Sequence, residues 1–396
     1  MSRLRTLHDL APVAFAALVA LGGFAGVATA GVLPEDRADI LYHRYDGGGV
    51  TIDGPSLLVR KKFLEKFSVS ANYYVDMVSS ASIDVVTTAS PYKEQRDQYS
   101  LTFDTMRGKT TYSLGYTNSK ENDYQADTAF FGLSHDLFGD LTTISMSFAR
   151  GWDIVQQRDA ITGGVDPDFR EHVDRRTYSM GLSQVLTRNL VAGASFETIT
   201  DEGFLNNPYR TVRYVDPTSA VGFSFEDEIY PRTRTSNAVS IRGRYFLPYR
   251  AAVHAEYRYY NDTWGILAHT GELGYTHPLG EKWIFDLKYR YYTQDAADFF
   301  SDLFPRAQAQ NFLARDKELS TFVSHTAGFG ATYEFPGGIP YMPRFVKKGT
   351  LNVRWDHIFF DYSDFRDIRV SGVAAGTEPL YSFQADVLQL FVSIWF

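Results

Sequence analysis

The feature that most constrains this chain is an alternation of period two that recurs along nearly its whole length. From residue 67, Phe67, Val69, Ala71, Tyr73 and Val75 hold one parity, and Ser68, Ser70, Asn72, Tyr74 and Asp76 hold the other. Tyr112, Leu114 and Tyr116 alternate with Thr111, Ser113, Gly115 and Thr117. Ile144, Met146 and Phe148 alternate with Thr143, Ser145 and Ser147. Later, Val253, Ala255, Tyr257 and Tyr259 alternate with His254, Glu256 and Arg258, and Trp283, Phe285, Leu287 and Tyr289 alternate with Ile284, Asp286, Lys288 and Arg290. Successive side chains of a strand point to opposite faces, so each stretch offers one apolar face and one polar face. Helical periodicity is absent. Composition agrees: 26 Tyr and 30 Phe sit in a chain whose mean hydropathy is only −0.24. That pairing indicates two surfaces in alternation and not one oily core.

The connections alternate as well. Short turns fall at 64–66, 107–109, 138–140, 187–189, 248–250 and 280–282. Longer polar loops fall near 78–95, 155–171, 201–231, 295–317 and 362–381, with shorter ones near 46–49, 119–123 and 261–263. Short turns at one end and long loops at the other is the pattern of a transmembrane antiparallel up-and-down β-barrel of the outer-membrane type. The reading gives about sixteen strands, with fourteen as the alternative count. The first pair, around Asp46 and the three glycines after it, is the weakest. A barrel of this size leaves a lumen and not a side-chain-filled core. One Pro-rich segment, 335–348, falls on the short-turn side; either it folds over that mouth or a strand is misplaced.

The ends fit the same reading. Residues 1–30 carry Arg3 and Arg5, an apolar run and Ala28-Thr29-Ala30, which together predict a cleaved signal peptide. Residues 31–396 then form the barrel as a single domain, with both termini periplasmic. Leu388, Leu390, Val392, Ile394 and Phe396 make a last amphipathic strand ending in Phe, the expected assembly signal for the barrel-assembly machinery. Zero Cys excludes disulfides, thiolate metal sites and a Cys nucleophile. A net charge of −8 argues against nucleic-acid binding. No phosphate loop, zinc spacing or haem motif occurs, and Asp46-Gly47-Gly48-Gly49 with Asp53 lacks the ligand spacing of a calcium loop, so no metal and no cofactor is expected.

With the apolar parity facing lipid, the other parity faces the lumen. Early strands then place Ser68, Ser70, Asn72, Ser100, Thr102, Asp104, Thr111, Ser113, Thr143, Ser145 and Ser147 inside. Late strands place Arg242, Arg244, His254, Glu256, Arg258, Glu272, Asp286, Lys288, Arg290, Glu334, Arg354 and Asp356 inside. A mixed-sign charged wall would face a small polar wall. It reads either as a pathway for polar or charged solutes or as a bracing network of ion pairs. His254 and Glu256 share a face two residues apart, yet no Ser stands out as a partner, so the chain is not read as an enzyme. His269, His325 and His357 fall on the lipid-facing parity near the loop ends.

Three stretches carry a resemblance: 46–61 (DGGGVTIDGPSLLVRK), 68–100 (SVSANYYVDMVSSASIDVVTTASPYKEQRDQYS) and 115–151 (GYTNSKENDYQADTAFFGLSHDLFGDLTTISMSFARG). They resemble the bacterial family filed as domain of unknown function 3570, whose members look like outer-membrane barrels of this length. The resemblance implies partners in a thioredoxin-like protein, a small lipoprotein and flavinylated exported proteins. It implies no catalytic or binding residues. The expected role is a channel or export conduit in contact with outer-membrane lipid. A structural or docking barrel for an exported redox or metal-handling complex is the alternative. The loop 78–96, low in charge at its start, is a candidate plug.

Overall fold

A computed structural model describes residues 32–79, 93–159, 164–338 and 343–396. The expected signal segment 1–30 and most of the candidate plug 78–96 lie outside the described residues. Sixteen strands close one antiparallel barrel. The first eight are β1 (Arg37–Gly47), β2 (Val50–Phe63), β3 (Phe67–Ser79), β4 (Lys93–Arg107), β5 (Thr110–Lys120), β6 (Tyr124–Leu137), β7 (Thr142–Arg158) and β8 (Val165–Val185). After β9 (Leu190–Gly203), a separate hairpin of β10 (Thr211–Val215) and β11 (Phe223–Asp227) precedes β12 (Thr233–Phe246). The wall continues through β13 (Ala252–Asp262), β14 (Leu267–Leu279), β15 (Trp283–Gln294), β16 (Phe322–Pro336), β17 (Lys348–Arg366) and β18 (Leu380–Trp395). β9 pairs directly with β12, and β1 closes on β18 from Arg37↔Trp395 to Gly47↔Ala385. The weakest sequence pair, β1 and β2, is therefore part of the wall, and the count is sixteen.

Local chemistry explains the turns. Gly48 and Gly49 have φ of 62° and 85°, so a two-residue turn joins β1 to β2 with both central residues left-handed. Any residue with a Cβ would lose about 1–2 kcal/mol there. The flanking aspartates are spoken for: Asp46 pairs with Arg44 at 2.7 Å, and Asp53 accepts from Tyr42 at 2.9 Å. The Pro-rich segment expected to be irregular does join β16 to β17 at the short-turn end. Its Gly337 N–H bonds Lys347 O, and Lys347 N–H bonds Trp395 O, both at 2.8 Å. The expected loop 155–171 is much shorter, because β7 runs to Arg158 and β8 starts at Val165.

The outer wall is apolar and exposed: Leu101, Leu114, Met146, Leu273 and Leu287 each show about half their surface. An unbroken apolar surface of this extent needs a lipid solvent. Two aromatic girdles bound it. At the short-turn end sit Phe63, Phe67, Trp283 and Tyr333, with Trp283 4.9 Å from Tyr333. At the long-loop end every hairpin carries one cross-strand polar pair. Tyr42 donates to Asp53, Tyr73 to Asp97 and Tyr116 to Asp127. Arg150 donates to Asp174, and Thr198 to Asn237. Tyr257 bonds His269 and Tyr289 bonds His325, while Trp355 and His357 share Asp386. On each descending strand this polar residue lies about ten residues above the short turn, roughly 25 Å of height for a tilted strand. The three lipid-side histidines thus belong to the boundary.

The long loops were expected as polar surface segments. They instead pack into a dome with its own core. Tyr230, Trp264, Ile266, Ala297, Phe299, Ala314 and Leu319 form one buried cluster, and Val212, Phe304 and Leu313 another. Loop segments pair as short bridges, Tyr214↔Phe304, Ile229↔Leu313 and Phe300↔Ala314. The Arg213 guanidinium is fully buried between Asp302 and Glu378. Segment 204–232 touches rims far apart on the barrel. Its Tyr209 hydroxyl donates to Asp123 in the β5–β6 turn and accepts from Arg158 N–H of β7. Its Arg213 holds Glu378 of the β17–β18 loop with Nη1–Oε1 at 2.6 Å. In the strand order, β6 and β17 stand nearly opposite, so the dome spans the mouth.

Candidate functional site

The register brings ten of the twelve charged positions singled out from the sequence into three adjacent rows on the inner face. The first row is Arg242↔Glu256↔Glu272↔Arg290 across β12–β15. The next is Arg244↔His254↔Gly274↔Lys288↔Gly328↔Asp356 across β12–β17. The third carries Asp286↔Gly330↔Arg354. Arg258 lies one row nearer the dome, and Glu334 lies nearer the short turns, paired with Thr350.

These side chains lie along the wall. Lys288 Nζ reaches Asp356 Oδ2 at 2.8 Å although β16 runs between their strands. The bridge passes over Gly328, where an added Cβ would sit 2.3 Å from Asp356 Oδ1 and 2.8 Å from Lys288 Cε. Gly274 plays the same part beneath His254, whose Cε1 would be 1.9 Å from an added Cβ. Arg258 reaches over β12 to Glu197 at 3.4 Å. His254 faces Glu272 at 3.5 Å and not Glu256, its neighbour on the same strand. Thr276 donates to Asp286 at 2.6 Å. Glycine hollows thus let long charged side chains lie flat along the wall.

The opposite wall carries mostly hydroxyls and amides, with charged groups of its own among them, including Asp104, Asp136 and the Asp76–Arg96 pair. Ser113 donates to Asp104 at 2.6 Å, Thr117 to Ser100 at 3.0 Å, Asn72 to Ser56 at 3.1 Å and Thr143 to Asp136 at 2.6 Å. Phe396 follows β18 at the short-turn end, with its N–H on Asp36 O and the Lys61 ammonium 5.1 Å from its ring.

Two features escaped the sequence reading. Near the dome, inward Tyr292, Phe322, Phe360 and Phe383 join Tyr362, Phe365 and Tyr381 in an aromatic cluster below the mouth. Phe360 and Phe383 stack at 4.5 Å. The alternating polar and aromatic inward positions near strand tops are the only trace this leaves in the sequence. The second feature is a group of three carboxylates, Glu94, Glu121 and Asp123, with oxygens within 4.8 Å of one another. β4 crosses the boundary at Asp97, so Glu94 stands beyond the membrane band, and Glu121 and Asp123 lie in the β5–β6 turn. Burial, then repulsion from Asp123 and Glu121, pushes the Glu94 carboxyl up to about 8. Burial pushes Glu121 up to about 7, against the nearby Arg96, and burial raises Asp123. The group forms only when β4 and the β5–β6 turn meet, and no sequence spacing announces it.

Residues 10–357 match the family described as protein of unknown function (DUF3570). No characterised protein matches the sequence. Among solved structures, a bacterial polysaccharide outer membrane secretin superposes with a TM-score of 0.50 at 9% identity, over 92% of this chain and 100% of that one. A Pseudomonas aeruginosa FadL homologue gives 0.42 at 9% identity, over 92% and 91%. The siderophore receptor PirA from Acinetobacter baumannii gives 0.42 at 10%, over 92% and 60%. At these identities the likeness to the secretin is one of fold: an outer-membrane-type barrel.

Proposed function

Taking as premise that the chain belongs to the DUF3570 family, we propose that it is a water-filled conduit for small polar or charged solutes across a bacterial outer membrane. The short turns and both ends of the barrel wall face the periplasm, and the dome covers the external mouth. One observation carries this reading: the charged rows of β12–β17 lie flat over glycines and face a hydroxyl wall. For sixteen strands spaced about 4.8 Å and tilted about 40°, a round barrel measures roughly 30 Å between backbones, too wide for such walls to fill. Rows dense in charges of both signs on one wall, facing a wall richer in hydroxyls, set a field across the pathway. Transport needs no chemistry of bonds, and the His254–Glu272 pair serves the wall and not a reaction.

Planar-bilayer recording of the purified barrel tests the proposal. Discrete conductance steps whose ion selectivity shifts when Lys288 is replaced by Glu are expected. Silence of the folded barrel across voltage and pH would refute the conduit and favour a closed docking barrel.

A further inference from the structure

Two neighbouring hairpins lack carboxylates over long stretches. Neither Arg175–Phe196, around the β8–β9 turn, nor Pro231–Ala255, around β12 and its turn, contains an Asp or Glu, although the chain carries 47 of them. β9 pairs with β12, so the two stretches make one continuous sector of the wall. Its cations are exposed. Arg188 and Arg250 sit in the two short turns, which are tied together where Phe246 N–H bonds Asn189 O at 2.8 Å. Above them Arg244 and Arg242 stand on the lumen face of β12. None of these four guanidiniums forms an ion pair among the described residues.

The nearest carboxylates are engaged or turned away. Glu256 stands opposite Arg242 on β13, but the Arg242 side chain leans the other way, over β9. Its Nε and Cγ lie 3.1 and 3.4 Å from where a Cβ on Gly193 would stand. Glu272 faces His254 at 3.5 Å, Glu197 takes Arg258 at 3.4 Å, and Asp286 accepts from Thr276 at 2.6 Å. Along the charged rows Arg242, Arg244, Arg290 and Arg354 are exposed, while Glu256, Glu272, Asp286 and Asp356 are half-buried. The rows are nearly balanced by count, so their sign toward the lumen comes from placement. Glu334, an exposed carboxylate, lies lower, at the short-turn mouth, where its N–H bonds Lys282 O. Beside Gly193 the floor is neutral: Ser183 stands opposite it on β8, and Ser195 and Ser240 share a hydrogen bond at 2.8 Å one row above.

We propose that the lumen face of this sector binds a small multivalent anion, a solute bearing carboxylate or phosphate groups, that enters from the short-turn mouth. Arg188 and Arg250 draw it to the mouth, and Arg244 and Arg242 hold it. These two lie two residues apart on one strand, roughly 7 Å, a span that one multivalent anion covers. Guanidinium forks match carboxylate and phosphate oxygens in pairs, and low-dielectric walls focus the field of unpaired cations. The inference names the solute class of the conduit and rests on that reading for the route, whereas binding itself requires no flow.

The test uses the whole folded barrel in uncharged detergent, titrated calorimetrically with citrate and, separately, with inorganic pyrophosphate. Saturable binding of one anion per barrel is expected, and the tighter of the two identifies the preferred group. Arg242→Gln with Arg244→Gln should weaken it by at least about tenfold, and Arg44→Gln on the outer face should leave it unchanged. Folding of each variant is read from the heat-dependent gel shift. In bilayers under a tenfold KCl gradient, the reversal potential should have the sign of chloride preference and move toward potassium in the double variant. Absence of saturable binding of both anions, or equal binding by the folded double variant, would overturn the proposal. A silent barrel that still binds citrate through these arginines sinks the conduit and keeps the site; a conducting barrel that binds neither anion does the reverse.

Discussion

Replacing Arg213 with Met should open the mouth while leaving the barrel intact. The Arg213 side chain is fully buried. Its Nη1 bonds Glu378 Oε1 at 2.6 Å, its Nη2 pairs with Asp302, and its Nε donates to Asp302 O at 2.8 Å. Methionine keeps much of the volume and removes the charge. Asp302 would retain Arg315, whose Nη2 lies 2.9 Å away. Glu378, only 4% exposed, would keep the Gly376 N–H at 2.8 Å but no cation. Stranding a buried charge in this way costs about 3–5 kcal/mol. That cost falls on the dome, which meets the wall here only at the last residue of β17, where Arg366 N–H bonds Asp302 Oδ1 at 3.2 Å, and a local unit of this size has little more than that to lose. The expected result is faster protease cleavage within 204–232, higher single-channel conductance and an unchanged heat-dependent gel shift. Changing only the stranded partner as well, R213M with E378L, should recover most of the dome's resistance, since Asp302 keeps Arg315 and no buried carboxylate is stranded. If R213M loosens the dome to protease and conductance does not rise, the dome is not what narrows the pathway.

The carboxylate group gives a pH prediction. Glu94 and Glu121 titrate at about 8 and about 7 in the folded chain, against 4.5 for an ordinary Glu. The folded form therefore holds extra protons between those values, and its stability falls as pH rises from about 4.5 to about 8. Since Tyr209 of the dome bonds Asp123 of this group, protease sensitivity of 204–232 should increase from pH 6 to pH 8.5, and Glu94→Gln with Glu121→Gln should flatten the profile. In the lumen, Gly328→Val places a side chain where Lys288 and Asp356 meet. It should push both charges into the lumen and lower conductance several-fold without unfolding the barrel, read by bilayer recording beside the gel shift. Gly49→Val puts a β-branched residue at φ 85° and should cost about 1–2 kcal/mol of barrel stability, read by urea unfolding in micelles.

The wall was legible in the sequence because its determinants are local. Parity alone assigns Leu114 to lipid and Ser113 to the lumen, and a strand that slipped by one would reverse both. Even the charged rows follow once strand ends are placed within a residue or two. The dome was not legible for the opposite reason. Arg213 and Glu378 are 165 residues apart, and Asp302 lies 89 from Arg213. Each sits in a loop whose composition reads as polar surface, and only their meeting turns them into a core. The same holds for Glu94 with Glu121 and Asp123. The boundary pairs fall between these cases. Tyr116 and Asp127 sit in one hairpin, yet their bond becomes predictable only when the turn fixes which residues face each other.

That division has a functional consequence. The barrel has no free edge: every strand bonds two neighbours in a continuous ladder, and in lipid none of those bonds can be lost singly. The dome is held by a few buried ion pairs and small apolar clusters outside the membrane, where water can replace what is lost. Perturbations that act on charge, whether pH at Glu94 and Glu121 or a substitution at Arg213, therefore reach the mouth long before they reach the wall. In the conduit proposed above, such a division lets the mouth change without risk to the barrel's insertion in the membrane.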